Sequence, residues 1–293
     1  MPMSPIPRRV DHVVFAVHDL EAAGALYQRL GFQVGPRNRH PWGTENRLIQ
    51  FASSFIELVT VGSGAETPAG LEPGRFSFGG FVRDYLSRGE GFAMLALASD
   101  DARADAALFS RKGIGAFEPF FFERVGRRPD GTETHVAFTL AFASAPGAPR
   151  AGFFVCQHHF PENFWNSALQ HHENGASAIA EVGMVAKVPR QHQDFLSTFS
   201  GSCAHEDERG RVAMEARGSR LTVAPAATED GDLQLHALTV RIPDAQAQAE
   251  RLKKTNIAFA ATEDGLEIAA GTAFGVRILF SGGRSRPASA LNL

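Results

Sequence analysis

The chain has 293 residues, 44% hydrophobic and 21% charged, with a net charge of −3 at neutral pH. That is an ordinary globular mixture, long enough for two domains with their own cores. It carries no basic surplus of the kind that would recruit nucleic acid or an anionic membrane.

The amino-terminal stretch has no apolar secretory core, and the longest apolar run, "FAMLALA" from Phe92, is too short to span a bilayer. Two cysteines, Cys156 and Cys203, cannot build a disulfide framework. The expected location is cytoplasmic. Phe is used 24 times against two Tyr and two Trp, which points to large apolar cores or an apolar ligand cavity.

Residues 10–17 read as a strand. Asp19 can cap a helix with Ala23, Leu26, Tyr27 and Leu30 on one face, and Gly31 fits its exit. Strands follow at 47–51 and 55–59. The order recurs from Phe92: a strand "FAMLALAS", Asp100 as cap, a helix over 102–112, a Gly113-Ile114 exit, then strands around "THVAFTLAF" and "GFFVC". It recurs from Ile179, with Pro189 opening the helix and Gly201 ending it. It recurs again from Leu235, with Asp244 as cap and strands running to Phe280. Residues 62–75 read as a loop, and the Asp-Gly pairs at Asp130, Asp230 and Asp264 as turns.

One helix followed by a run of strands, four times, argues for α+β. Each sheet would be covered on one face and concave on the other, so four βαβββ modules make two cups. The predicted domains are 8–156 (modules one and two) and 177–282 (modules three and four), joined by a polar linker, 157–176.

Two polar residues interrupt apolar strand faces in the first module. His12 shares a face with Val14 and Ala16, and Glu57 in "FIELV" shares one with Phe55 and Val59. A buried carboxylate is costly unless paired or bound to metal. Glu57 therefore either pairs with Arg47 or His12 inside the sheet or joins His12 on a divalent ion. Two histidines and a carboxylate suit Fe(II); added carboxylate or amide ligands suit Zn, Mn or Ni. Trp42, Asn46 and Arg47, with His40, are candidate ligand-orienting residues at the mouth of the cup. His135 and Cys156 are weaker candidates for substrate binding. The histidines His158, His159, His171 and His172 fit no zinc spacing and read as solvated or lid residues.

The stretches "RVDHVVFAVHDLEAAGALYQRLGFQVG" and "GTENRLIQFASSFIELV" resemble the first module of the vicinal oxygen chelate superfamily, which holds glyoxalase I, extradiol dioxygenases, and fosfomycin- and bleomycin-resistance proteins. Within it the chain is similar to bacterial four-module glyoxalase-like proteins, through "FSFGGFVRDYLSRGEG" and "CQHHFPENFW" followed by "HHENGA". The resemblance implies tandem βαβββ modules and a divalent metal (Zn, Fe, Mn or Ni) held by first- and last-strand residues of paired modules. His12 and Glu57 match that pattern, with Glu57 the implied catalytic carboxylate. The second-module equivalents fall on Ala93 and near Cys156, and the third and fourth first-strand positions on Glu181 and His236. If modules one and four pair, His236 becomes the third metal ligand; if one and two pair, the further candidates are Cys156, Gln157 and His135.

The implied activity is a metal-dependent lyase, isomerase or dioxygenase acting on a small, partly apolar oxygenated substrate. The alternative is a metal-free binding protein like the bleomycin-resistance proteins. The expected partner is a small molecule, with no nucleic acid and no membrane; a homodimer is compatible with this reading.

Overall fold

The structure is a computed structural model that describes residues 6–63, 74–127, 133–145, 147–227 and 233–282. The turns expected at Asp130 and Asp230, and most of the loop expected at 62–75, lie outside the described residues.

The first module runs β1 (Val10–Ala16), α1 (Leu20–Arg29), β2 (Asn38–Arg39), β3 (Thr44–Gln50) and β4 (Phe55–Val61). A helix that the sequence pattern did not announce follows, α2 (Phe78–Leu86), inside the "FSFGGFVRDYLSRGEG" stretch. The second module is β5 (Gly91–Ala98), α3 (Ala102–Arg111), β6 (Phe120–Arg127), β7 (Glu133–Ala143) and β8 (Gly152–His158), followed by a short α4 (Pro161–Phe164) in the linker. The third is β9 (Ala178–Ala186), α5 (Gln193–Ser200), β10 (His205–Glu206), β11 (Val212–Ala216) and β12 (Ser219–Pro225). The fourth is β13 (Gln234–Ile242), α6 (Ala245–Lys254), β14 (Ala260–Thr262), β15 (Gly265–Ile268) and β16 (Arg277–Gly282). No helix among the described residues is long and apolar enough to cross a membrane.

Local chemistry sets the helix ends. Asp19 accepts from the backbone N–H of Glu21 and Ala22, freeing α1 to start where its apolar stripe begins. Gly31 leaves the helix at φ +93, and a Cβ there would lie 2.8 Å from the Asn174 side chain. The helix therefore needs glycine both for its exit and for the linker that packs on it. In the second module the cap is Asp101, which accepts from Arg103 and Ala104, and not Asp100. In the third, Pro189 opens a tight 3₁₀ turn before α5 begins.

Two eight-stranded mixed sheets result, with orders β2-β3-β4-β1-β5-β8-β7-β6 and β10-β11-β12-β9-β13-β16-β15-β14. In each, the modules meet through their first strands, β1 antiparallel to β5 and β9 antiparallel to β13. Module one thus pairs with two, and three with four. The fold is α+β, with two curled, cup-like domains.

The buried side chains of the described residues form two bodies. One fills the helix side of both sheets and joins the halves, through rings such as Phe32–Phe280 at 6.0 Å and Phe109–Phe199 at 6.2 Å. The other lies on the concave face of the first sheet alone. There Val14, Met94, Phe138, Phe142 and Phe154 pack against Phe78, Val82 and Leu86 of α2. This second body surrounds His12 and Glu57.

Candidate functional site

An irregularity in β1 builds the centre of the first cup. Val10 pairs with Leu97 and His12 with Ala96, which leaves Asp11 as an extra residue. Such a bulge re-aims side chains that strict alternation would send to opposite faces. Asp11 and His12 therefore meet, with Asp11 Oδ2 2.8 Å from His12 Nδ1. The same oxygen lies 3.1 Å from Nε2 of His158, at the end of β8. Asp11 is fully buried. Burial opposes its ionisation, but hydrogen bonds and charge from the two imidazoles prevail and hold it below the ordinary aspartate range. An ionised carboxylate only accepts, so His12 donates to it from Nδ1 and turns Nε2 toward Glu57.

That nitrogen lies 3.9 Å from Glu57 Oε2. The ring is fixed by stacking on Phe55 at 4.3 Å and by the edge of Phe154 at 5.3 Å. The other Glu57 oxygen, Oε1, accepts from Asn46 Nδ2 at 2.5 Å and lies 3.8 Å from His40 Nε2. Asn46 Nδ2 is also 3.3 Å from that His40 nitrogen, and His40 Nδ1 is 2.8 Å from Thr44 Oγ1. Burial pushes the His40 pKa down, against the pull of Glu57, so its ring is neutral at pH 7. One buried carboxylate thus stands between two imidazole nitrogens. The Glu57 that interrupts an apolar strand faces this group and not Arg47.

The surrounding cavity has a volume of about 60 Å³ and mostly apolar walls, including Trp42, Phe55, Phe122, Phe138 and Phe164. Trp42 stacks on His40 at 4.5 Å. Cys156 lines the cavity too, but burial and the nearby Asp11 and Glu57 charges push its thiol well up, so it is neutral and a poor nucleophile. Asp11, Cys156 and His158 also offer ligand atoms within 4.8 Å of one another, a second donor set behind His12. Asp11 Oδ1 and His158 Nδ1 in this set are buried without a hydrogen-bond partner among the described residues.

The structure separates other sequence candidates from this group. Arg47 points the opposite way: its Nε donates to the Gly35 carbonyl at 3.1 Å and its Nη1 to Glu21 at 2.9 Å, against α1. Neighbours on a strand cannot share a face, so with Asn46 inside, Arg47 is outside. His135 is on the outer face of β7, paired with Glu123 at 2.8 Å, because Val136, Phe138 and Leu140 take the inner face. His236 is on β13 in the other sheet, where Arg277 and Glu267 are its charged neighbours. It does not join His12 and Glu57, because module one pairs with module two.

Setting the caps Asp19 and Asp101 in correspondence moves the second-module equivalent of His12 from Ala93 to Met94. The registers His12 with Phe55 and Met94 with Gly152 then move the equivalent of Glu57 from near Cys156 to Phe154. Apolar side chains occupy both positions.

Of the linker histidines, His159 and His171 are exposed, as expected, but all four are hydrogen-bonded. His159 meets Thr139, and His171 the carbonyl of Ser167. His172 accepts from the Gln33 backbone N–H and donates to the Gln50 carbonyl. These bonds strap the linker to the first half, and His158 belongs to the site itself. Asp11, His158 and Arg124, another residue of the cavity lining, were missed by strand-by-strand reading. A signal for Asp11 was the charged residue beside His12 in an apolar strand.

Tandem βαβββ modules in curled sheets, with a histidine on the first strand and a glutamate on the last facing the same cup, define a protein of the vicinal oxygen chelate type. A family model described as "Glyoxalase-like domain" matches residues 10–199, and the chain belongs to that family.

No curated protein matches the chain. Among solved structures, a hypothetical protein from Staphylococcus aureus superposes with a TM-score of 0.67 at 13% identity, covering 93% of this chain and 99% of that one. A xylose isomerase-like TIM barrel/4-hydroxyphenylpyruvate dioxygenase fusion protein gives 0.54 at 14% identity, covering 100% of this chain and 51% of that one. A mutant 4-hydroxymandelate synthase from Streptomyces coelicolor gives 0.55 at 11% identity, covering 95% and 94%. At such identities the likeness is one of fold.

Proposed function

We propose that the first cup is the active site of a divalent-metal-dependent enzyme of lyase, isomerase or dioxygenase type, acting on a small, partly apolar oxygenated molecule. The observation that carries this reading is the Asp11–His12–Glu57 arrangement. A carboxylate on the far ring nitrogen, fixing the tautomer and leaving the near nitrogen free, is the usual support of a metal-binding histidine. His12 Nε2 and Glu57 Oε2, 3.9 Å apart, fit two ligands of one ion; His40 lies 3.8 Å from the other Glu57 oxygen and would have to shift to join them as a third.

A metal bound there would supply Lewis-acid polarisation of a substrate oxygen or access to dioxygen chemistry. The chain's own residues do the rest. Asp11 keeps the His12 proton on Nδ1. Asn46 holds Glu57 Oε1 and leaves Oε2 directed at His12. The aromatic walls exclude water and receive the apolar part of the substrate.

A second reading, a metal-free binding protein, is favoured by Met94 and Phe154 at the second-module ligand positions. Elemental analysis of untagged wild-type, His12→Ala and Glu57→Gln proteins separates the two. Metal is expected in the wild type and at background in both variants. A wild type that takes up no metal, even after reconstitution, overturns the enzyme reading in favour of the binding protein.

A further inference from the structure

Arg124 has no role so far. On β6, Phe120 and Phe122 contact Trp42 at 5.3 and 4.8 Å, while Phe121 and Val125 point outward and are 48% and 69% exposed. Alternation therefore carries Arg124 to the inner side with Phe120 and Phe122, and it lines the same cavity as Glu57. It is half-buried, yet it makes no hydrogen bond, ion pair or ring stacking with any described residue.

Glu57, the one acid among the described cavity-lining residues, is engaged by Asn46. Removing a guanidinium from water without a partner is costly, and its planar fork matches a carboxylate in two-point fashion. An inward arginine among aromatic rings adds nothing to packing that a leucine would not. Burial lowers its pKa somewhat against the pull of Glu57, but from so high a starting value that it stays charged.

We infer that Arg124 anchors the carboxylate of a small monoanionic substrate, holding its adjoining oxygen toward His12 and Glu57. The orientation rests on the proposed function; the anchor itself does not. Charge sets the class, because the single guanidinium among the described cavity-lining residues matches one carboxylate. Size sets it further. A cavity of about 60 Å³, well below the roughly 150 Å³ that holds benzene, selects against large substrates. A short 2-oxo or 2-hydroxy acid is among the smallest molecules that carry both a carboxylate and an adjoining oxygen, its alkyl end against the phenylalanines.

The test is calorimetric titration with pyruvate and its neutral isostere pyruvamide, on wild type, Arg124→Met, Arg124→Gln and Arg124→Lys, with metal content measured on the same preparations. Wild type is expected to bind pyruvate roughly 10- to 100-fold more tightly than pyruvamide. Arg124→Met and Arg124→Gln should lose that preference, and Arg124→Lys should keep part of it, having the charge without the fork. Two charge-removing variants guard against one that fails to fold.

A wild type that binds neither probe, or both alike, overturns the anchor, as does undiminished preference in the Met and Gln variants. An Arg124-dependent preference in protein without metal supports the anchor while the metal reading fails. Metal in a wild type whose preference ignores Arg124 does the reverse.

Discussion

The two halves share one topology and differ in what covers the concave face. In the first, that face is a second core, roofed by α2 and by Phe164 of the linker, with His12 and Glu57 buried inside it. In the second, the same face is left half-open. Glu181 of β9 accepts from Thr222 at 2.7 Å, His236 is exposed, and Leu279 stays outside both buried bodies.

The cause lies in the connections. Residues 62–90 join β4 to β5 and leave room for a helix, whereas 226–233 join β12 to β13 and do not. A concave sheet becomes a low-dielectric site only when something excludes water from it, and charge interactions gain their strength there. The difference between the halves is thus one of cover.

The largest expected contrast is in metal content. Glu57→Gln should reduce it to background while the fold persists, because glutamine keeps the volume and loses the charge. Glu181→Gln should leave it unchanged. Elemental analysis reads both, and metal lost only from the Glu181 variant would place the site in the wrong half.

Next comes packing. Phe154→Ala, in the roofed cup, should cost about 3–5 kcal/mol as a core truncation, and Leu279→Ala, on the open face, under about 1 kcal/mol. Urea unfolding midpoints measure this, and equal losses would mean that the second cup is also a core.

The smallest contrast concerns Asp11. Asp11→Asn should cost about 1–3 kcal/mol through its two imidazole partners, against about 0.5 kcal/mol or less for Glu181→Gln. The folded pKa of Asp11 is held below its ordinary value of 3.8, so the unfolded chain binds its proton first as pH falls. Its contribution is full above pH about 4 and fades on further acidification. Stability measured from pH 7 downward should therefore show a flatter acid limb in Asp11→Asn than in wild type. An unchanged limb would mean that Asp11 is not the anion holding His12.

Much of this was legible in the chain because it is local. Aspartate caps, glycine exits and period-two alternation are properties of a few consecutive residues. They sufficed for the four modules and for the shared face of His12 and Glu57, since whether a strand residue faces in or out depends on parity along that strand. The same parity, applied to neighbours, separates Asn46 from Arg47.

Only the tertiary structure decided the rest, because it depends on partners distant in sequence. The antiparallel register of β1 against β5 creates the bulge that turns Asp11 to His12. The pairing of module one with two excludes His236 and brings in His158 and Arg124. A cap one residue along the chain moves the second-module equivalents to Met94 and Phe154. Which strand meets which, and in what register, is fixed by the packing of the whole sheet, and no short window of sequence contains it.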